Sequence, residues 1–205
     1  MGFYADRILP RLVEQACGMP GMDKLRRRTA APLSGPIIEV GFGSGLNVGC
    51  YPESVTEVTA IEPADLAWER AQPRIAGSRI SITRGGLDGQ RLPFDDDAFD
   101  GALSTFTLCT IPDLAAALAE LRRVVKPGGA LAFCEHGLAP DSGVQRVQRL
   151  VNPIERAVAG GCELTRDIPS LLDQAGWQIA ELDQFYAPAA PKPWSAFSLG
   201  YAVNL

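Results

Sequence analysis

Apolar and polar positions alternate along this chain in a way that predicts strands and helices in turn. Five short apolar runs bounded by turn residues are interpreted as strands: "PIIEVG", "VTEVTAIEP", "RISITRG", "AFDGALSTFTLCTI" and "GGALAFCEHG". Between them, "ADLAWERAQPRI" and "LAAALAELRRVVK" carry apolar residues at helical spacing. The first strand is expected to lead through a glycine-rich turn into a further helix. The runs "QIAELDQFYA" and "SAFSLGYAVNL" predict two final strands.

Helices are also predicted outside this alternation. Residues 3–16 place Tyr4, Ile8 and Leu12 on one stripe, which indicates an amphipathic helix. A second short helix is expected over 22–30, with its basic "KLRRR" facing solvent. Asp167 precedes a proline-containing first turn, so we expect it to cap a helix that starts in "IPSLLDQAGW".

This order of elements predicts an α/β fold with a doubly wound, seven-stranded, mostly parallel sheet. We expect one domain over 34–205, preceded by a helical cap over 1–33. Ligands of such sheets bind outside the carboxyl ends of the strands, near the point where the strand order reverses. The residues with candidate chemistry all follow predicted strands.

Composition limits the function classes. The 205 residues are 46% apolar with a net charge of −5, which fits one globular domain and argues against a nucleic-acid surface. No apolar run is long enough to span a membrane. The five cysteines form no C-x-x-C pair, which favours reduced thiols in a cytoplasmic protein and predicts no metal site.

The glycine turn is the first chemical signal. Gly41, Gly43 and Gly45 alternate directly after the first strand, where glycine allows positive φ and close approach of a ligand to the backbone. A dinucleotide fingerprint needs a further glycine where Leu46 stands. The observed form is instead E-x-G-x-G-x-G, beginning at Glu39. A tight turn that binds nothing remains the structural alternative.

Glu62 ends the second strand, in "VTAIEP". An acid at this place can accept hydrogen bonds from both ribose hydroxyls of a nucleotide-like ligand, and it fits NAD as well. A solvated glutamate at a strand end is the other interpretation.

Four stretches between Pro36 and His136 resemble class I S-adenosylmethionine (SAM) methyltransferases with a type-11 methyltransferase domain. They are the glycine turn, "VTAIEP", "GGLDGQRLPFDDDAFDGALSTFTLC" and "LRRVVKPGGALAFCEH". The resemblance implies SAM as cofactor. It places the cofactor-binding residues at Glu39, Gly41, Gly43, Gly45, Glu62, Asp88, Gly89 and Thr105. Leu87 departs from the family, which usually has glycine before the acid at Asp88.

A narrower resemblance comes from "STFTLCTIPD", "EHG" and "NPIERAVAGGCELTRD". These pieces are similar to methyltransferase-like thiol methyltransferases and to bacterial relatives with small lipophilic or lipid substrates. The resemblance implies a small-molecule acceptor, and the apolar segments around the predicted cleft favour a partly apolar one. We expect the acceptor pocket to come from the N-terminal helix, residues 137–166 and the loop with Trp194.

Few residues qualify for chemistry on the acceptor. His136, the sole histidine, ends the fifth strand and is the candidate base, with a packing histidine as the alternative. Cys109 and Cys134 are expected to serve as small apolar residues rather than nucleophiles. Arg166 is expected to pair either with an acidic group of the acceptor or with a nearby acid of the chain.

Three other functions remain open at this stage. An NAD-linked oxidoreductase is disfavoured by Leu46, and a non-catalytic SAM-binding module would carry the same motifs. A membrane-surface lipid methyltransferase would lay residues 3–16 on the bilayer as a peripheral contact. The sequence predicts no nucleic-acid partner and no particular oligomeric state.

Overall fold

A seven-stranded sheet with helices on both faces makes up the fold in the computed structural model, which describes residues 7–188 and 190–205. Its strands are β1 (Gly35–Val40), β2 (Val55–Ile61), β3 (Ser81–Gly86), β4 (Phe99–Thr105), β5 (Val125–His136), β6 (Trp177–Tyr186) and β7 (Ala196–Asn204). The helices are α1 (Leu9–Cys17), α2 (Met22–Ala30), α3 (Asp65–Ala76), α4 (Leu114–Val124), α5 (Ser142–Val158), α6 (Ile168–Gln174) and α7 (Lys192–Ser195).

The strand order is β3-β2-β1-β4-β5-β7-β6. Strands β1 to β5 pair in parallel, and β7 is antiparallel to both of its neighbours. The prediction of a doubly wound, mostly parallel sheet is confirmed. Because β1 lies between β2 and β4, the connections leave it in opposite directions, and the reversal point lies at its carboxyl end.

The central strands are apolar on both faces because both faces are covered. Ile37 and Ile38 are neighbours in β1, yet they belong to different core clusters, since successive side chains of a strand point to opposite sides. One cluster includes residues of α2 and α3, and the other includes residues of α4 and α6. This two-sided core holds the carboxyl ends of the strands in fixed positions.

The prediction of a helix directly after the glycine turn is wrong. Residues 41–50 form a series of turns, closed by three backbone hydrogen bonds: Gly45 N to Phe42 O (3.1 Å), Val48 N to Gly45 O (3.1 Å) and Cys50 N to Asn47 O (2.7 Å). The φ angles at Gly41, Gly43 and Gly45 are 76°, 59° and 77°. Three left-handed residues in five positions cannot continue a right-handed helix.

Helix α1 rests on the carboxyl edge without burying any of its side chains. Glu14 pairs with Arg70 and Arg74 of α3. Leu9, at the other end of α1, lies against Gly160 just beyond α5, where a Cβ would come within 2.7 Å of Leu9 Cδ2. The helix therefore spans from the β2 side of the sheet toward the β5 side. Tyr4, part of the predicted stripe, lies outside the described residues.

Helix α5 lies within residues 137–166, a segment that was predicted only to contribute to the acceptor pocket. Its only buried residue is Gln148, whereas Leu150 and Ile154 are 78% and 67% exposed. Asp167 caps α6 by accepting a hydrogen bond from Ser170 N at 3.3 Å, which confirms that prediction. No helix within the described ranges is long and apolar enough to cross a membrane.

Candidate active site

The predicted site residues follow consecutive strands and meet at one edge of the sheet. Gly41, Gly43 and Gly45 follow β1, Glu62 follows β2, Asp88 and Gly89 follow β3, Thr105 ends β4 and His136 ends β5. Parallel strands bring all of these positions to the carboxyl edge. Their side chains nevertheless have different surroundings.

The three glycines of the turn differ in what surrounds them. A Cβ on Gly41 would collide with the Thr107 side chain, and one on Gly45 would press on Ala71 Cβ at 3.3 Å. At Gly43 the nearest heavy atom would be Gly41 O, at 3.9 Å. Gly41 and Gly45 therefore allow close packing within the protein, whereas Gly43 leaves space open beside the backbone.

Glu62 faces the turn at Gly43. Its Oε2 accepts a hydrogen bond from Gly43 N and its Oε1 accepts one from Ala64 N, both at 2.7 Å. Burial raises the pKa of Glu62, while these two backbone donors act in the opposite direction. Each carboxylate oxygen keeps a second lone pair, so the side chain can accept two more hydrogen bonds from a ligand.

Glu39 lies beneath the turn, fully buried. Its carboxylate accepts hydrogen bonds from Asn47 Nδ2 at 2.8 Å and from the Tyr51 hydroxyl at 2.5 Å. Burial raises its pKa to about 7, although both hydrogen bonds lower it. In this arrangement Glu39 holds the turn from inside and does not line the open space at Gly43.

Arg26 turns inward from α2 and is 4% exposed, which corrects the prediction that the whole basic run faces solvent. Its Nη1 donates to Asn47 Oδ1 at 2.9 Å and to Thr105 Oγ1 at 3.0 Å, and its Nη2 donates to Cys17 O at 3.1 Å. The guanidinium also lies over the Phe106 ring, 5.1 Å from its centre. One arginine thus joins the N-terminal helices to the ends of β1 and β4.

Asp88 is exposed, and its Oδ1 accepts hydrogen bonds from the backbone and side chain of Gln90 at 2.9 and 3.1 Å. These hydrogen bonds lower its pKa. Asp88 has no hydrogen bond to the turn at Gly43 or to Glu62. Gly89 lies close to the end of β1, because a Cβ there would be 2.9 Å from Val40 Cγ1.

Glu135 is a second fully buried acid, next to His136 in β5. It accepts hydrogen bonds from the Ser104 hydroxyl at 2.8 Å and from Thr107 N at 2.9 Å, which fixes the loop after β4. Burial raises its pKa to about 7 against the effect of these donors. The same loop contains Phe106 with a φ of 57°, a strained value for a bulky residue.

His136 is 8% exposed and lies between an aromatic ring and a thiol. Its ring makes an edge contact with Phe197 at 5.8 Å between centres, and Phe197 in turn contacts Phe106 at 5.5 Å. Nδ1 lies 3.5 Å from Cys162 Sγ. Nε2 is buried and has no hydrogen-bond partner within the described part of the chain.

The remaining candidates contact protein groups. Burial raises the pKa of Cys134 to about 12, which agrees with a small apolar role. Cys109 lies beside Cys162. Arg166 donates to Leu108 O at 2.5 Å and pairs with Glu163 at 3.5 Å, so its partners are groups of the chain itself. Over residues 7–188 and 190–205, no three His, Cys, Asp or Glu side chains are grouped to hold a metal ion.

The sequence of this chain is similar to those of known methyltransferases. Residues 38–133 match the family model described as a methyltransferase domain. The chain is 28% identical to the thiol S-methyltransferase TMT1B of Rattus norvegicus over 82% of this chain and 70% of that protein. It is 33% identical to the demethylmenaquinone methyltransferase of Clavibacter sepedonicus over 62% of this chain, and it spans about half (53%) of that relative.

The fold has close counterparts among solved structures. An S-adenosylmethionine-dependent methyltransferase from Mesorhizobium loti superposes with a TM-score of 0.65 at 21% identity, covering 91% of this chain and 98% of that one. Sheet order, glycine turn and matched domain together define the class I, Rossmann-like methyltransferase fold. The predicted resemblance to the SAM-dependent methyltransferases is therefore confirmed by the domain match over residues 38–133 and by the methyltransferase relatives.

Proposed function

We propose that the protein transfers a methyl group from SAM to a small, partly apolar molecule by direct in-line displacement. The observation that carries this proposal is the position of His136, which has an unpartnered Nε2 and packs against Phe197, itself in contact with Phe106. Such surroundings suit an apolar acceptor with one ionisable group. The thiol- and demethylmenaquinone-named relatives support a small-molecule acceptor.

The described residues fit SAM at the carboxyl edge. Gly43 would leave room for the methionine part beside the backbone, and the free lone pairs of Glu62 would accept the ribose hydroxyls. Asp88 and Gly89 would lie by the adenine. Gly41, Gly45, Glu39 and Thr105 would support the turn and the end of β4 from inside. When bound, SAM supplies an activated methyl group, so the chain mainly has to position the acceptor and exclude water.

His136 would act as the base when the acceptor carries a proton at neutral pH. Its Nε2 would take that proton, and the electron pair of the broken bond would stay on the acceptor atom. Histidine is the side chain that most often serves as a general base in enzymes. An acceptor that is already ionised would need only positioning.

Residues 1–33 would form a cap over the methyltransferase domain at 34–205. Helix α1 buries none of its side chains and is tied to α3 by the ion pairs of Glu14, which agrees with a cover that can open. Closing it over the acceptor would exclude water from the reacting atoms.

Transfer of labelled methyl from SAM into a panel of thiols, quinols, amines and phospholipids tests the proposal. We expect transfer to at least one lipophilic thiol or quinol and loss of transfer in His136→Asn, with SAM binding kept in that variant. SAM binding without transfer to any compound would favour a non-catalytic SAM-binding module. NADH binding in place of SAM would overturn the proposal.

A lipid surface is a second proposed partner, supported by the exposed apolar side chains Ile8 and Leu12 near α1 and Leu150 and Ile154 of α5. Because Leu9 lies against Gly160, these two helices adjoin. The contact would include part of residues 3–16 and would bring lipophilic acceptors to the site. Sedimentation with anionic vesicles tests it: Leu150→Ser with Ile154→Ser should reduce binding, and exposed Glu57→Gln in β2 should not.

The five free cysteines support a cytoplasmic setting for the protein.

A further inference from the structure

Two cysteine side chains from separate segments meet the candidate base, His136. Cys109 comes from the loop after β4, His136 from the end of β5 and Cys162 from the segment after α5. Cys162 Sγ lies 3.7 Å from Cys109 Sγ and 3.5 Å from His136 Nδ1. The three residues are 3%, 8% and 9% exposed, so the contacts are made away from bulk water.

The backbone holds Cys162 in this place. Gly160 and Gly161 have φ angles of 64° and 89°, which turn the chain back toward the sheet after α5. Glu163 N then donates to Cys109 O at 3.0 Å, and Leu164 N donates to the Asn152 side chain at 2.7 Å. The position of Cys162 is therefore fixed on both sides, and its contact with His136 is a built part of the fold.

The surroundings favour the ionised form of Cys162. The contact with Cys109 lowers the pKa of Cys162 to about 6, helped by the hydrogen bond and charge of His136 and opposed by burial. The same contact, together with burial, raises the pKa of Cys109 well above its usual value, so Cys162 is the thiol of the pair that ionises first. Other titratable groups also act near the pair. Glu155 on α5 raises the pKa of Cys162, Glu135 and Arg166 act on Cys109, and Cys17 at the end of α1 interacts with Cys162.

A thiolate can only accept hydrogen bonds, which decides the proton position on the ring. If Cys162 Sγ is ionised, His136 Nδ1 must carry the hydrogen that it donates at 3.5 Å. In neutral imidazole the other nitrogen, Nε2, then holds the lone pair. This is the buried nitrogen that has no partner in the described part of the chain.

We propose that Cys162 is a positioning residue that holds His136 in the Nδ1–H tautomer and so makes Nε2 its basic atom. The tautomer itself needs no acceptor, whereas its use in methyl transfer rests on the proposed function. When an acceptor gives its proton to Nε2, the electron pair stays on the acceptor atom and the ring becomes an imidazolium. The thiolate at Nδ1 stabilises that positive charge. Cys109 supports the thiolate through its S–H donor.

Magnetic resonance tests the tautomer directly, because His136 is the only histidine in the chain. In protein labelled with ¹⁵N-histidine at pH 8, we expect a protonated Nδ1 and an unprotonated Nε2. Cys162→Ala should lose this preference, and Cys162→Asp should restore it, since a carboxylate can also accept from Nδ1. Cys109→Ala, the matched control, should keep the Nδ1–H tautomer but need a higher pH to reach it fully.

Two measurements on the wild-type protein can overturn the proposal. A protonated Nε2 at pH 8 would mean that Cys162 donates to the ring, and an intramolecular Cys109–Cys162 disulfide in the purified protein, seen by mass spectrometry, would remove the thiolate. Either result contradicts the assigned role, whether or not the Cys162 variants fold.

Kinetics with an acceptor from the panel separates this proposal from the proposed function. Cys162→Ala should lower kcat by about tenfold or more with little change in KM, and should move the acidic limb of the pH–rate profile. Cys162→Asp should recover most of the rate. If wild type transfers methyl and Cys162→Ala has the same kcat and spectrum, only the positioning role fails. If no compound is methylated while the spectrum shows the Nδ1–H tautomer, only the proposed function fails.

Discussion

The three glycines in the turn after β1 have different structural roles, although they look equivalent in the sequence. Gly41 and Gly45 are closed in by Thr107 and Ala71, whereas Gly43 has open space where a side chain would be. Substitution at the first two positions would therefore disturb the protein itself. Substitution at Gly43 would fill the proposed ligand space.

We predict that Gly43→Val abolishes measurable SAM binding while the sheet stays folded. The φ of 59° makes any side chain strained there, so the control must share this strain. Gly21→Val fits, because Gly21 has a φ of 96° and nothing within 4 Å of a Cβ. Calorimetric titration should show SAM binding in Gly21→Val only. Normal binding by Gly43→Val would mean that the turn does not touch SAM.

Glu62→Ala should weaken SAM binding by roughly ten- to a hundredfold. A hydrogen bond to a charged acceptor contributes about 1.5–3 kcal/mol, and about 1.4 kcal/mol corresponds to tenfold in affinity. Asp65→Ala is the matched control, since Asp65 lies near the same strand end and pairs with Arg84 on the surface. Thermal shift and titration would measure both variants. If SAM affinity falls by less than about threefold in Glu62→Ala, the only role of Glu62 in the turn is its hydrogen bond from Gly43 N.

The positions of several candidate residues at the carboxyl edge could be predicted because each lies at the end of a strand in a recognisable motif, as Glu62 and His136 do. Arg26 could not, since Arg27 and Arg28 beside it are exposed and a nine-residue helix does not reveal which residue turns inward. Glu135 and Cys162 were missed for a related reason. Their partners come from distant segments, and only the folded chain brings Cys162 within 3.5 Å of His136.

Among the described helices, α1 is the one that buries none of its side chains. We predict that deleting residues 1–16 leaves a folded protein that still binds SAM but loses methyl transfer. The deletion keeps Cys17, whose carbonyl accepts a hydrogen bond from Arg26. Among residues 7–16 it removes no buried side chain, because none of the side chains of α1 is buried. Circular dichroism, titration and the labelled-methyl assay would measure the three properties.

Glu14→Gln provides a milder test of the same helix, because it weakens the ion pairs to Arg70 and Arg74 without shortening the chain. Amide exchange in α1 should be faster in this variant, and should slow in wild type when SAM is added. Unfolding of the truncated protein would show that α1 is part of the core.

Regular elements could be predicted more fully than irregular ones. The apolar runs identified all seven strands because burial on one or both faces imposes a clear pattern on each. The helix expected after β1 was wrong because three glycines with positive φ override the neighbouring apolar residues. Helix α5 was not predicted, since its apolar side chains Leu150 and Ile154 face outward and Pro153 interrupts the pattern.

Across the whole molecule, two fully buried acids make stability depend on pH. The pKa values of Glu39 and Glu135 rise from an ordinary 4.5 to about 7 on burial, so the folded protein binds more protons than the unfolded chain between these values. Their contribution is complete below pH 4.5 and is lost as pH rises through 7. Each group can change the free energy of unfolding by up to about 1.4 kcal/mol per pH unit.

We therefore expect Tm of the SAM-free protein to fall between pH 5 and pH 7. Above pH 7 the lowered pKa of Cys162, about 6, acts in the opposite direction. Glu39→Gln should flatten part of this slope, because an amide can keep contacts with Asn47 and Tyr51 without ionising. Exposed Glu57→Gln is the control and should leave the slope unchanged. Acids with lowered pKa, such as Glu14 and Glu120, act oppositely and reduce stability only at lower pH. A Tm that rises between pH 5 and pH 7 would contradict the role of these two glutamates.

Strand β7 lies between β5 and β6, although it follows β6 in the chain. Strand β6 therefore joins the sheet only through β7, with which it forms a hairpin across residues 187–195. Most side chains of β6 are at least partly exposed, so this hairpin has little core of its own and depends on β7 reaching β5. During folding, we expect the sheet to grow from its centre, with β6 added last. Local unfolding should run in reverse, releasing β6 first while β1 and β4 keep the glycine turn in place.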